Sequence, residues 1–166
     1  MSQDLAPLYV LTGAPGAGKT TLLPELVRLS RHAGHGVVVM DIDELLDADG
    51  ALLGVPIAVP DAEALWPTYN RMWRRIIDMP RRVGHPVLFL CPLVPEEFPG
   101  ATAWALLDCG DRTRAERLRA RGEEEAAIAE ALDDARAYRA LVETVFDGEE
   151  EPAIVAERIV RWTLPR

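Results

Sequence analysis

The sequence predicts a three-layer α/β domain, a five-stranded parallel sheet with helices on both faces. Three observations predict it. Five short apolar runs, PLYVL (7–11), GVVVM (36–40), PVLFL (86–90), TAWALLD (102–108) and the weaker ETVF (143–146), are continuous rather than alternating, as in strands buried on both faces. Stretches of helical periodicity separate them, and such alternation builds parallel sheets. No repeat or low-complexity linker divides the 166 residues, so 1–166 reads as a single domain with a core of ordinary size.

The elements follow in order. The first strand runs into a glycine-rich stretch and then a helix carrying Leu22, Leu23, Leu26 and Val27. Pro24 lies inside that helix, where it removes a hydrogen bond and crowds the preceding turn, so a kink is expected there. After the second strand, helical periodicity resumes from about Pro67 to Arg82. Pro67 suits a first turn, which puts Trp66 at the helix start. The fourth strand is followed by helices over Arg112 to Arg121 and Glu123 to Val142, and the last helix, Pro152 to Trp162, carries Ile154, Val155, Ile159 and Trp162.

Composition narrows the function classes. A net charge of −9 and a pI near 4.8 argue against a nucleic-acid polymer or an anionic membrane as partner. They say little about a small anion, because a pocket can be locally positive. Cys91 and Cys109 show no C-x-x-C or metal spacing and read as free thiols in a reducing compartment. No basic segment followed by a long apolar run opens the chain, so neither a signal peptide nor a membrane span is expected, and the expected location is cytoplasmic. Oligomeric state is not legible.

Lys19 is the only lysine; every other Lys/Arg position holds arginine. It stands in Gly13-Ala14-Pro15-Gly16-Ala17-Gly18-Lys19-Thr20, followed by Thr21, a match to G-x-x-x-x-G-K-[ST] between an apolar strand and a helix. Glycines let backbone N–H groups turn toward a polyphosphate. The helix N-terminus adds positive potential at the same place. Lys19 reaches the β- and γ-phosphates, and the Thr20 hydroxyl ligates Mg²⁺. Arginine's broad fork does not replace a slim ammonium threaded into such a loop. The expected fold is therefore that of a P-loop NTPase, and the expected ligands are ATP and Mg²⁺.

Asp41 and Asp43 close the second strand in VVVMDIDELLD. Ligands of open α/β sheets gather outside the carboxyl ends of strands. One carboxylate there can orient Mg²⁺ and the other can accept the proton of an attacking hydroxyl. Asp is also a favoured N-cap, so one of the pair capping a helix near Glu44 is the competing reading.

With its phosphate loop, the D-x-D stretch and a later RLRARG, the chain resembles the nucleotide-kinase-like P-loop phosphotransferases, a group that includes shikimate, gluconate and adenylate kinases and chloramphenicol phosphotransferase. The resemblance implies that Asp41 is the metal-side residue and Asp43 the base. It also implies a short arginine-bearing lid, about 112–125, in which Arg117 and Arg121 close over ATP, with Arg139 of DDARAYR facing the phosphates. Arg114, Arg117 and Arg121 would share one helix face; an exposed helix laced with ordinary surface pairs is the alternative. Two departures stand out. Cys91 occupies the third-strand end, where many P-loop enzymes have an Asp. CPLVPEEF lacks the arginine that adenylate kinases carry there, which argues against a nucleoside monophosphate as acceptor.

The second substrate is expected in segment 44–82, and the substrate-binding candidates are Asp43, Trp66, Tyr69, Asn70 and Arg74. Trp66, Tyr69 and Trp73 fall on one helical face, either as a stacking pocket or as core. His32, His35 and His85 have no partner spacing, and the glutamates at 123–125 and 149–151 read as solvated charge. The leading expectation is a kinase acting on a hydroxyl of a small-molecule acceptor, with Lys19, Asp43, Arg117 and Arg121 catalytic. A nucleoside or nucleoside-monophosphate kinase, or a regulatory ATPase without acceptor, are the alternatives.

Overall fold

β1 (Leu8–Thr12) is the middle strand of the sheet in a computed structural model that describes residues 5–32, 36–48, 50–57 and 60–164. The other strands are β2 (Val38–Asp41), β5 (Val87–Cys91), β6 (Ala103–Asp108) and β7 (Val145–Asp147), in spatial order β2-β5-β1-β6-β7 and all parallel. Thr12 pairs with Cys91, and Asp41 with Leu90. The register thus brings the loop after β1, the end of β5 and the D-x-D stretch to the same edge of the sheet.

The apolar runs are continuous because both faces are covered. Leu8 and Val10 of β1 join Phe89, Tyr69, Trp73, Ile77 and Phe98 on one face, while Leu11 joins Leu22, Leu26, Leu88, Leu107, Val155 and Ile159 on the other. Alternate residues of a strand feed opposite clusters, and every residue of β5 is buried. α1 (Lys19–His32) and α5 (Pro152–Trp162) pack together on one side; α2 (Trp66–Arg82) covers the other. α3 (Asp111–Ala120) and α4 (Glu125–Leu141) pack on each other beside β6. α1 runs through Pro24 as helix. The missing N–H leaves the Thr20 carbonyl without its helical donor, and burial of Leu22 and Leu26 outweighs that loss.

One element escapes the sequence reading. β3 (Ala51–Leu52) and β4 (Val55–Pro56) form a hairpin of two-residue strands. Its turn puts Leu53 at φ 50° and Gly54 at φ 79°. Glycine or asparagine usually marks both positions of such a turn, and leucine at the first conceals it. Among the described residues, no helix is long and apolar enough to cross a membrane.

Candidate active site

The phosphate loop is held from beneath by its carbonyls. Lys19 Nζ donates to Gly13 O. One Arg114 nitrogen donates to Ala14 O at 3.2 Å and Pro15 O at 2.6 Å. Arg117 donates to Gly16 O at 3.2 Å, Ala17 O at 3.4 Å and Gly148 O at 2.9 Å. Every carbonyl from Gly13 to Ala17 therefore has a side-chain donor. Among the described residues, the N–H groups of Gly16, Gly18, Lys19 and Thr20 have no protein partner, as expected of an anion-binding helix N-terminus. Glycine is required at 13, where a Cβ would sit 2.6 Å from Leu107 O, and at 18, where φ is +106°.

Across from this loop, Asp41 is buried and its Oδ1 accepts the Asp43 N–H at 3.0 Å. It caps a four-residue 3₁₀ turn, Ile42–Leu45, rather than a helix beginning near Glu44. The Tyr69 hydroxyl holds the same turn by donating to Ile42 O. Asp43 keeps open surface, and its side chain makes no cap. Partial desolvation raises the Asp43 carboxyl above the usual range; the Asp41 charge adds to this and Lys19 opposes it. Burial lowers the Lys19 ammonium, against the pull of the Asp41 and Asp43 carboxylates, while Arg114 pushes it further down. Lys19 and the two aspartates therefore share one field at the carboxyl end of the sheet. Cys91, at the end of β5, is buried and its thiol is pushed up to about 12 by desolvation, so it is neutral. Among the described residues, no group of three or more His, Cys, Asp or Glu side chains could hold a metal.

The arginines divide in a way that helical spacing alone does not show. Arg114 is fully buried, Arg117 is half-buried on the loop carbonyls, and Arg121 is exposed. The three do not present a common open face, because α3 lies with its first turns against the phosphate loop. Arg139 does not reach toward the loop. It pairs with Asp108 at 2.5 Å and Asp111 at 2.8 Å and donates to Cys109 O at 3.0 Å. Beside Arg117 and Arg121 a cavity of about 560 Å³ opens between α1, α3 and the start of α5, with Thr21, Leu22, Glu149 and Pro152 also in its wall. It is large enough for a nucleoside moiety.

The aromatic stripe of α2 is mostly core. Tyr69 and Trp73 are 4% and 3% exposed, so Tyr69 is not open to a ligand; its ring packs between Trp66 and Trp73 with centroids 5.9 and 6.4 Å away. Trp66, Asn70 and Arg74 line a separate hollow of about 460 Å³ with Glu97 and Phe98, which neither Lys19 nor Asp43 enters. Arg74 stacks on Phe98, its guanidinium carbon 4.0 Å from the ring centroid. Asn70 Oδ1 is buried there without a partner. His85 Nδ1 lies 3.3 Å from Gly36 O. His35 and the side chain of His32 lie outside the described residues.

Residues 10–138 match the AAA domain family. The chain belongs to that family. No curated protein matches it. Among solved structures, it is similar to the shikimate kinase from Acinetobacter baumannii in complex with shikimate (TM-score 0.66, 16% identity, 96% of this chain and 93% of that one). It is also similar to the shikimate kinase from Aquifex aeolicus (0.63, 17%, 93% and 94%) and to a gluconokinase from Sinorhizobium meliloti 1021 (0.54, 17%, 97% and 93%). The fold is that of the nucleotide-kinase-like P-loop phosphotransferases, as the loop, the D-x-D stretch and the arginine run lead one to expect.

Within this AAA domain, sequence reasoning missed the part that three residues play in the site. Asp108 and Arg114 tie α3 and α4 to the loop. Glu149, which reads as solvated charge, accepts the Gly110 N–H at 2.6 Å and fixes the 148–151 turn. The DG pair that closes the last strand was the signal for that turn. α3 is anchored on the loop carbonyls through Arg114 and Arg117. Nucleotide is expected to slow amide hydrogen exchange at 121–125, where α3 ends and α4 starts, while the amides around Arg114 are protected with or without it. Exchange at 121–125 that ignores an ATP analogue would show that Arg121 is surface charge only.

Proposed function

We propose that this AAA domain is an ATP- and Mg²⁺-dependent kinase that transfers the γ-phosphate to a hydroxyl of a small molecule. The observation that carries the reading is the division of labour in the D-x-D pair. Asp41 holds the turn, while Asp43 is uncommitted, has raised basicity and shares the field of Lys19. A carboxylate so placed suits a general base. Asp43 takes the hydroxyl proton as the acceptor oxygen attacks the γ-phosphorus and ADP leaves. The loop amides and Lys19 hold the triphosphate, and Arg121 at the rim of the cavity neutralises charge on the transferring group. Arg117, its edge bound to carbonyls, has only its face left for a base.

The donors present suit a hard cation that keeps several waters. Thr20 offers an exposed hydroxyl and Asp41 a carboxylate, with a neutral thiol where a third carboxylate would otherwise stand. Mg²⁺ bound by Thr20 and Asp41 would neutralise phosphate charge.

The test is ADP formation from ATP with and without a panel of sugars, polyols, hydroxy acids and nucleosides. Acceptor-dependent turnover with a phosphorylated product is expected. Equal hydrolysis across the panel, with no phosphorylated product, favours a regulatory ATPase instead.

A further inference from the structure

The loop carbonyls lead to an arginine that the reaction itself does not call for. Arg114 is 0% exposed and lies directly beneath the phosphate loop. Its Cγ would lie 3.1 Å from a Cβ at Gly16, so loop and side chain are in close contact. One terminal nitrogen binds the Ala14 and Pro15 carbonyls; the other binds Asp108 Oδ1 at 2.6 Å. Asp108 is itself gripped from the opposite side by Arg139, at 2.5 Å through Oδ2. Arg139 is anchored further by Asp111 and the Cys109 carbonyl. A continuous relay thus runs from α4 through the end of β6 to α3 and into the loop.

Stability alone does not account for this arginine. A buried ion pair is commonly no better than an apolar group of the same volume. Here the Arg114 Nε is buried with no partner at all, which adds an uncompensated donor. What a guanidinium supplies and an apolar side chain does not is a rigid fork that fixes two carbonyls at once. A peptide group is planar, so turning its carbonyl inward turns the next residue's N–H outward. Tying Ala14 O and Pro15 O therefore sets the direction of the Pro15–Gly16 peptide N–H and steadies the turn that leads to Gly18.

We propose that Arg114 is a positioning residue of the phosphate loop, holding its carbonyls inward so that its N–H groups stand ready for a triphosphate, with Asp108 and Arg139 as the brace that fixes the guanidinium. The proposal rests on the reading of the loop as a triphosphate site. It concerns orientation established before the ligand arrives, which is the form in which fixed dipoles are most effective.

The experiment measures binding of inorganic tripolyphosphate, which ignores the base pocket and the acceptor, by calorimetry on the full chain. ATP and GTP are titrated beside it, and thermal melting is followed. Arg114→Met leaves Asp108 paired with Arg139 but takes the donor from the Ala14 and Pro15 carbonyls; it is expected to melt somewhat below the wild type and to bind tripolyphosphate about 10-fold or more weakly. Arg114→Lys keeps the charge without the fork and should fall between the two. Asp108→Asn keeps the shape and should weaken binding several-fold. A merely structural role predicts the lower melting temperature with wild-type affinity in the folded protein, so affinity is the readout that separates the two. Wild-type affinity in folded Arg114→Met overturns the proposal. If that variant does not fold, wild-type affinity in both Arg114→Lys and Asp108→Asn overturns it. Wild-type protein that binds none of the three probes overturns the triphosphate reading beneath it, a result distinct from equal binding by wild type and variants.

Discussion

Lys19→Ala is expected to lower phosphoryl transfer by about 10²–10³-fold or more while the protein stays folded. The ammonium is desolvated at its place in the first turn of α1, so removing it relieves a burial cost. Against that, Gly13 O loses its donor, a loss of about 1 kcal/mol. These terms are small and of opposite sign, and melting by circular dichroism should move little. The chemistry has no such compensation, because no other lysine exists in the chain and Arg114 and Arg117 are committed to carbonyls. Lys19→Arg should fail as well. The loop wraps the position too closely for a planar fork, and the extra donors would compete for carbonyls already taken. Near wild-type turnover in Lys19→Ala would sink the assignment of the loop.

Asp43→Asn should lower the acceptor-dependent rate by about 10²–10⁴-fold with nucleotide affinity retained. The side chain keeps its size and loses its basicity. Asp41→Asn should behave differently. Asn is as good a cap as Asp, so the Ile42–Leu45 turn persists, and the expected defect is a weaker response to Mg²⁺. The pH dependence follows from the sign of the shift. A general base works only when deprotonated, and the Asp43 carboxyl is raised. Wild-type kcat/KM with acceptor should therefore fall as pH drops through a value above the ordinary carboxylate range. That limb should vanish in Asp43→Asn and persist in Asp41→Asn. The measurement is the acceptor-dependent rate over Mg²⁺ and pH titrations. If Asp43→Asn matches wild type at saturating Mg²⁺, the base assignment is wrong and the residue is only an exposed position of the Ile42–Leu45 turn.

Both experiments address residues that are legible in the amino-acid sequence by itself. The reason is locality. G-x-x-x-x-G-K-T and D-x-D are contiguous, and each places its groups by the geometry of a strand end and the turn after it. The five strands and five principal helices are readable for a related reason: both faces of the sheet are covered, so the strands are unbroken apolar runs, and each helix carries a period that no strand can satisfy. Boundaries differ by a few residues at ends that fray into loops. The β3–β4 hairpin escapes because two-residue strands carry no periodicity and its turn holds Leu53.

What the chain alone determined is thus the sheet, its helices and the two short motifs at its carboxyl edge. Tertiary structure decided what the faces meet. Helical spacing put Arg114, Arg117 and Arg121 near one another, but only the packing of α3 buries the first, binds the second to loop carbonyls and leaves the third open. Spacing aligned Trp66, Tyr69 and Trp73, but only the sheet beneath α2 makes two of them core. The family resemblance implies that Arg139 faces the phosphates, and it is instead bound to Asp108, 31 positions earlier. Ala14 and Pro15, whose carbonyls Arg114 holds, lie 100 and 99 positions before it. Local sequence sets which way a side chain leaves its helix; the partner it finds depends on how distant segments share a limited interior, and a buried charge takes whichever oxygens the fold brings within reach.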